Sequence, residues 1–282
     1  PENWTPGRPL SETHRVALLD RRYFHADGQM RDDEETYNYA PFKQSRMFAK
    51  GVTCSDCHDP HSTTLKATGD AVCTQCHAPA RYEAVEHRHH SAVSPPLTCV
   101  SCHMPERRYM VVDRRHDHGF RIPRPDLSVA TGAPNACNDC HRDSSAAWAA
   151  QQIEAWFGEG RHGFQTYGPA FHAAWSEAPD AQGRLAAIAG SGDVPGIVHA
   201  SALAELPAPD LDLIRRGLSD PDPLVRLGAL DGLESWPVDR LWPLIAAQLA
   251  DPVRGVRTRA AELLAAVPPA LRPADDRGKF AD

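Results

Sequence analysis

The sequence lacks several features that define common classes of protein. It has no run of about eighteen apolar residues, the minimum for a helix across a bilayer, so we predict no transmembrane segment. Basic residues number 30 against 37 acidic ones, and a net charge of −7 argues against a nucleic-acid partner, which needs a basic face. The chain begins with neither methionine nor a basic and apolar leader, which is typical of a mature or truncated chain.

Large apolar side chains are also scarce. Aromatic residues make up 7% of the chain, and between residues 51 and 141 the only leucines and isoleucines are Leu65, Leu97, Ile122 and Leu127. A segment this poor in aliphatic side chains cannot bury enough apolar surface to offset its ordering entropy. We therefore expect an apolar group other than a side chain to fill its core.

Cysteine is confined to residues 54–140, where all eight cysteines fall into four Cys-x-x-Cys-His motifs. Two thiols with this spacing reach the two vinyl groups on one edge of a porphyrin, and the following histidine then lies at the iron. The motifs predict four c-type haems with histidine as the proximal ligand of each iron. The residues are Cys54, Cys57 and His58; Cys73, Cys76 and His77; Cys99, Cys102 and His103; and Cys137, Cys140 and His141.

Two other uses of these cysteines compete with haem attachment. Four Cys-x-x-Cys pairs can form two four-thiolate zinc sites, and an exported chain can form four short-loop disulfides. Neither use explains why a histidine follows the second cysteine in all four motifs. We therefore favour haem c, and because its thioethers form outside the cytoplasm we expect a periplasmic or extracellular, cell-surface location in a bacterium.

The ligand in the sixth position of each iron separates electron transfer from catalysis. Histidines outside the motifs supply candidates, of which His25, His61 and His118 stand alone in sequence. His61 follows His58 by three residues and cannot reach the opposite face of the same iron. It would therefore bind a neighbouring haem or none, and if it binds one, it holds two haems close together.

A second source of distal ligands is the run Glu86-His-Arg-His-His90. We expect one histidine of this run to bind iron, His90 or His89 rather than His87. His14, His87 and His116 are expected at the surface or around the ligands. The competing ligand is methionine, at Met30, Met47 or Met110, and would raise the haem potential; we expect mostly bis-His haems of low potential.

Arginines cluster between Arg114 and Arg124. Arginine pairs with carboxylates in a bidentate manner, so these side chains can bind haem propionates. The alternative is a solvated basic loop, and the sequence favours neither.

Composition changes near residue 145, after which the chain is rich in alanine and leucine. We place a tetrahaem domain at 1–145, a helical linker at 146–180 and helical repeats at 181–282. Residues 218–233 match residues 249–264 with a period of about 31 residues, and 197–206 is a weaker copy. In each copy aspartate caps a helix that proline opens, a pattern that resembles HEAT repeats. The predicted fold is mainly α with extensive irregular loops, a haem-packed domain and a short α-solenoid.

The strings CSDCHDPH, CHMPERRYMVVDRR, DHGFRIPRPDLS and GAPNACNDCH resemble multihaem c-type cytochromes related to ammonia-forming nitrite reductase and hydroxylamine oxidoreductase. The resemblance covers about residues 5–145 and implies closely stacked, mostly bis-His haems. Within it, His61 and His118 match distal histidines, and the HRHH run matches a ligand segment. The catalytic Cys-x-x-Cys-Lys motif of the nitrite reductases is missing, and no feature marks Tyr82 or Tyr109 for a haem cross-link.

We expect an electron carrier or conduit rather than an enzyme, with redox proteins as partners. The alternative is an oxidoreductase that acts on a small nitrogen or sulfur compound at one open haem. A third hypothesis is a polymeric or larger assembly that docks through the repeats and shares a distal histidine across an interface.

Overall fold

A computed structural model describes residues 5–90, 97–159 and 165–273. The chain is mainly helical, as predicted. Packing divides it into two compact units: Arg21–Pro169, here the motif unit, and Pro1–Asp20 with Ala170–Asp282, here the repeat unit. The boundaries at 145 and 180 that composition suggests stay a prediction. No helix among the described residues is long and apolar enough to cross a membrane.

Most helices of the motif unit are short, with four to seven residues each, and only Ala146–Phe157 reaches 12 residues. Three attachment motifs form single helical turns whose first residues are capped by side chains. They are α3 (Cys54–Cys57), α7 (Cys99–His103) and α9 (Ala136–Cys140). Asp56 accepts a hydrogen bond from the backbone N–H of Thr53 at 2.7 Å, and Asn135 accepts one from Asn138 at 3.1 Å. The elements are α1 (Tyr39–Lys43), α2 (Arg46–Ala49), α3 (Cys54–Cys57), α4 (Ala71–Thr74), α5 (Pro79–Tyr82), α6 (Val85–Arg88), α7 (Cys99–His103), α8 (Pro125–Thr131), α9 (Ala136–Cys140) and α10 (Ala146–Phe157).

One antiparallel ribbon lies between α7 and α8, and the sequence analysis did not predict it. Strand β1 (Glu106–Tyr109) pairs with β2 (Asp113–His116), with Glu106 opposite His116. Met110 and Val111 in the turn have positive φ values of 48° and 72°. The left-handed turn lets two strands of four residues return directly on each other.

The core of the motif unit has a gap where the attachment motifs lie. Phe24, Met30, Phe42, Tyr109 and Leu127 are buried, but no described hydrophobic residue from 43 to 108 is. Side chains therefore do not supply a core for this segment. The observation agrees with the expectation that another apolar group covers it.

A buried polar network supports the loop that follows β2. The guanidinium of Arg121 donates to the carbonyl of Asp27 at 2.8 Å and to Oε1 of Gln44 at 3.1 Å. The Tyr167 hydroxyl donates to the same Gln44 oxygen at 2.7 Å. Because buried polar groups are costly unless paired, this network fixes the backbone around Arg121.

The repeat unit is built from amphipathic helices. Helix α13 (Gly196–Ala204) packs against α12 (Ala181–Ala189), α14 (Leu211–Leu218) and α15 (Pro223–Asp231). Helix α17 (Arg254–Ala265) packs against α15 and α16 (Val238–Ile245). Helix α11 (Gly168–Trp175) begins at the boundary between the units. The others are α12 (Ala181–Ala189), α13 (Gly196–Ala204), α14 (Leu211–Leu218), α15 (Pro223–Asp231), α16 (Val238–Ile245) and α17 (Arg254–Ala265), with 3₁₀ helices at Leu10–Glu12, Ala246–Ala250 and Pro269–Leu271.

Equivalent residues of the two sequence copies make equivalent hydrogen bonds within each copy. Asp220 and Asp251 each accept the backbone N–H two residues further on, both at 2.8 Å. Arg226 donates to the carbonyl of Asp220 at 2.7 Å, and Arg257 donates to that of Asp251 at 2.6 Å. The internal repeat is thus a repeat of local structure as well as of sequence.

Candidate functional site

We number the four attachment motifs sites 1 to 4 in the order in which they occur along the chain. Burial, then Asp56 and Cys76, raise the pKa of Cys57. Burial is also the main cause that raises the pKa of Cys99 to about 12, with Asp70 and then Cys73 adding to it. For Cys137 of site 4, burial and then Cys102 of site 3 raise the pKa. Two contacts join neighbouring sites directly. The backbone N–H of Cys99 at site 3 donates to Asp70, three residues before Cys73 of site 2, at 2.8 Å, and α7 of site 3 packs against α9 of site 4.

At site 1 the imidazoles of His58 and His118 face each other. Their ring centres are 6.3 Å apart, with 27° between the ring planes. An imidazole nitrogen lies about 2 Å from a first-row transition metal and about 1 Å from its own ring centre, so two imidazoles across one metal have centres about 6 Å apart. The spacing fits one iron between the two rings.

Sites 3 and 4 show the same arrangement. His103 faces His87 with ring centres 6.0 Å apart and 11° between the planes. His141 faces His90 at 6.2 Å and 43°. The residues present therefore fit a bis-His haem at three sites, with the porphyrin supplying the four remaining ligands of each iron.

Hydrogen bonds select the nitrogen that is left for the metal. Nδ1 of His58 lies 2.8 Å from the carbonyl of Thr63, and Nδ1 of His103 lies 2.7 Å from that of Arg121. Because a carbonyl oxygen only accepts, each Nδ1 carries the proton and Nε2 keeps its lone pair. His118 and His90 bond in the same way to the carbonyls of His116 and Arg88, at 2.8 and 2.7 Å.

The HRHH run supplies two sites at once. His87, which was expected at the surface or around the ligands, is the ring that faces His103. His89 has a left-handed φ of 51° at the end of α6, and this turn directs the chain so that His90 faces His141. His89 itself stacks on Trp156 with ring centres 4.5 Å apart and faces no histidine of a motif.

Helix α10, predicted as part of a linker, contributes two tryptophans that sequence reasoning missed. Trp148 lies 4.8 Å from the His141 ring, and Trp156 lies 5.9 Å from the His90 ring. They are eight residues apart, about two helical turns, and so share one face of α10. A pair of tryptophans at helical spacing directly after the last motif was the available signal.

Site 2 differs from the others. The His77 ring is exposed and contacts the edge of Tyr82, with centres 5.3 Å apart. Tyr82 contacts His87 of site 3 at the same distance, so one tyrosine ring joins two sites. Among the residues that the structure describes, no imidazole faces His77; His162 lies outside them.

Two predicted distal ligands face no motif histidine in the described part of the chain. His61 is exposed, and its backbone N–H donates to Asp59 at 3.0 Å. His25 is half-buried, and burial lowers the pKa of its imidazole. Their assignment as iron ligands stays a prediction.

The arginines between 114 and 124 pair with groups of the protein. Arg114 contacts Glu106 at 2.7 Å, Arg115 contacts Glu35 at 3.0 Å, and Arg124 contacts Asp126 at 2.6 Å. Arg121 is buried in the network with Gln44. Propionate binding, one of the two interpretations from sequence, would require each arginine to contact a haem propionate in addition to its present partner in the protein.

Residues 46–82, which contain the motifs of sites 1 and 2, match the family model of the doubled CXXCH motif. The match supports covalent haem c attachment at these two motifs. Comparisons with curated proteins and with solved structures gave no match.

Proposed function

We propose that the protein transfers electrons through four covalently bound c-type haems, most of them bis-His, outside the cytoplasm. The observation that carries this proposal is the set of three facing imidazole pairs, 58/118, 103/87 and 141/90. A bound haem supplies an iron that takes up and releases one electron. With histidine on both faces, the protein leaves no position for a substrate at these three sites.

The arrangement of the motifs supports a conduit rather than isolated carriers. The backbone N–H of Cys99 at site 3 donates to Asp70 beside site 2 at 2.8 Å, and the Tyr82 ring touches histidines of sites 2 and 3. Short separations between redox centres favour electron transfer between them. We therefore propose that electrons pass along the sites in chain order.

The repeat unit is proposed to be a HEAT-like docking domain. Its two copies share an aspartate turn and an arginine hydrogen bond before their helices, and no redox-active motif lies in it. Redox partner proteins, or a larger assembly of this protein, are the proposed ligands of these helices. The relationship to the nitrite reductase and hydroxylamine oxidoreductase superfamily is proposed on the motif strings of the sequence.

Site 2 favours a second candidate function. Because no described imidazole faces His77, an iron there would have an open position that can bind a small nitrogen or sulfur compound. In that case the protein is an oxidoreductase in which sites 1, 3 and 4 deliver electrons. Titration with cyanide, nitrite and hydroxylamine tests this, since a spectral shift of one haem in four is expected only for an open iron.

The proposed function is tested by mass and electron paramagnetic resonance on the intact holoprotein. We expect the peptide mass plus four haems, and low-spin signals from at least three six-coordinate irons. A colourless protein of unmodified mass contradicts haem attachment. A majority of high-spin iron contradicts the bis-His conduit.

A further inference from the structure

We propose that His116 is a further haem-iron ligand, which binds an iron whose other axial ligand lies on a second polypeptide. The inference rests on the proposed function, because it needs a haem iron with one open axial position. None of the three facing pairs uses His116. It therefore adds an intermolecular site to the three that the chain forms by itself.

The first argument is the hydrogen bond at its Nδ1. In the described part of the chain, five imidazoles bond through Nδ1 to a backbone carbonyl. Four of them, His58, His90, His103 and His118, belong to facing pairs. The fifth is His116, whose Nδ1 lies 2.7 Å from the carbonyl of Met104. This bond fixes the tautomer with Nε2 unprotonated, the form that binds metal.

The second argument is the rigid position of the ring. His116 ends strand β2 opposite Glu106, and its own carbonyl accepts the Nδ1 proton of His118. Met104, which orients the ring, directly follows His103. His116 is thus held between a ligand of site 1 and a ligand of site 3. An electron that arrived at an iron on His116 would enter beside two sites.

The charged side chains near His116 have other partners, which leaves its imidazole available to bind a metal. The carboxylate across the strand, Glu106, is engaged by Arg114 at 2.7 Å, and Asp117 is buried and bonds to the N–H of Gly119 at 2.6 Å. Arg115, the preceding residue, bonds to Glu35 and Asp113. Glu106 and Asp117 therefore already have partners, and His116 is only half-buried.

Two sources can supply the iron, and they share its chemistry. One is site 2 of a second copy, because the His77 ring is exposed and no described imidazole faces it. Such a contact joins different surfaces of two copies and can continue from one copy to the next. The other source is a haem carried by a different protein. Both require an imidazole presented at the protein surface.

The test compares the wild-type holoprotein with His116→Phe, which keeps a ring of similar size, and with the control His172→Phe, at an exposed histidine of α11. In one arm, low-spin iron and sedimentation are followed against protein concentration. In the other, a c-type haem peptide with one imidazole ligand is added at low protein concentration. Conversion of the peptide to the low-spin form is read from its Soret band and its electron paramagnetic resonance.

A rise of low-spin iron and of mass with concentration in wild type, lost in His116→Phe, assigns the iron to a second copy. Low-spin conversion of the haem peptide, with affinity at least about tenfold weaker in His116→Phe, assigns it to a different protein. Equal behaviour of His116→Phe and wild type in both arms overturns the proposal. If His116→Phe does not fold, His116→Asn, which can still donate to Met104, takes its place. The low-spin signals of the three pairs are the internal check, because their loss would instead contradict the proposed function.

Discussion

His87 and His90 lie three residues apart and face histidines of two different attachment motifs, His103 and His141. The left-handed residue His89 between them makes this arrangement possible, since a continuous helix would place both rings on one face. One short segment therefore holds sites 3 and 4 at a fixed separation. A displacement of α6 would change both sites together.

Substitution of these histidines should remove one low-spin haem each. His87→Ala leaves the iron at His103 with a single protein ligand, and His90→Ala does the same at His141. We expect each variant to convert one iron to the high-spin form, whereas the exposed neighbour Glu86→Ala changes none. Quantitative electron paramagnetic resonance measures this, and an unchanged low-spin count in His87→Ala would remove His87 from site 3.

Haem removal should unfold part of the motif unit. No described hydrophobic residue from 43 to 108 is buried, so the segment has no core without the porphyrins. In protein made without haem maturation, we expect rapid proteolysis between residues 46 and 108. The fragment 181–265 should survive, because its helices bury leucines such as Leu203, Leu230 and Leu264. A protease-resistant segment at 46–108 would contradict this expectation.

Thr63 gives a test of backbone strain beside site 1. It has a φ of 61°, a conformation that costs a β-branched residue about 1–2 kcal/mol, and its carbonyl accepts from His58. Thr63→Gly should relieve the strain and raise the free energy of unfolding by about 0.5–1 kcal/mol after the entropy of glycine is counted. The matched control Thr64→Gly, at a position without positive φ, should lower it by a similar amount. Denaturant unfolding of the holoproteins measures the difference, and equal effects of the two substitutions would argue against strain at Thr63.

The two sequence copies in the repeat unit are joined by a buried ion pair. Arg226 contacts both carboxylate oxygens of Asp251, at 2.7 and 3.0 Å, with side chains 11% and 5% exposed. Asp251→Ala removes the ion partner of the guanidinium, which keeps its bond to the Asp220 carbonyl, and the acceptor of the Val253 N–H. It should cost about 3 kcal/mol of unfolding free energy. Asp212→Ala breaks the exposed pair with Arg215 and should cost less than about 1 kcal/mol. Similar losses of unfolding free energy in the two variants would contradict a larger stabilising contribution of the Arg226–Asp251 pair.

The attachment motifs and the predominance of helix were predictable from sequence because both depend on local patterns. Cysteine spacing sets the attachment chemistry, and aspartate followed by proline sets the start of α15, where Asp222 accepts from Leu224 at 2.9 Å. The predominantly helical fold followed from the same patterns and is confirmed. Each of these features depends on a few neighbouring residues.

The facing pairs depend on distant residues, and sequence reasoning reached them only in part. His118 and His90 were among the candidates for distal ligands, but His87 was not, because the turn at His89 that separates it from His90 is not visible in composition. The tryptophans of α10 were missed for a similar reason. Their helix was predicted, but its packing partner, the pair His90 and His141, is set by the fold.

The pairs also differ in the length of chain that each must close. His87 precedes His103 by about 16 residues, whereas His58 and His118 are about 60 residues apart, so closing site 1 costs about 1 kcal/mol more in loop entropy. In a chain exported from its N-terminus, His87 emerges before the motif that it serves. His118 emerges about 60 residues after His58. Site 1 therefore closes the longest segment of the three pairs, and a nascent chain halted at residue 117 would hold both imidazoles of site 3 and only one of site 1.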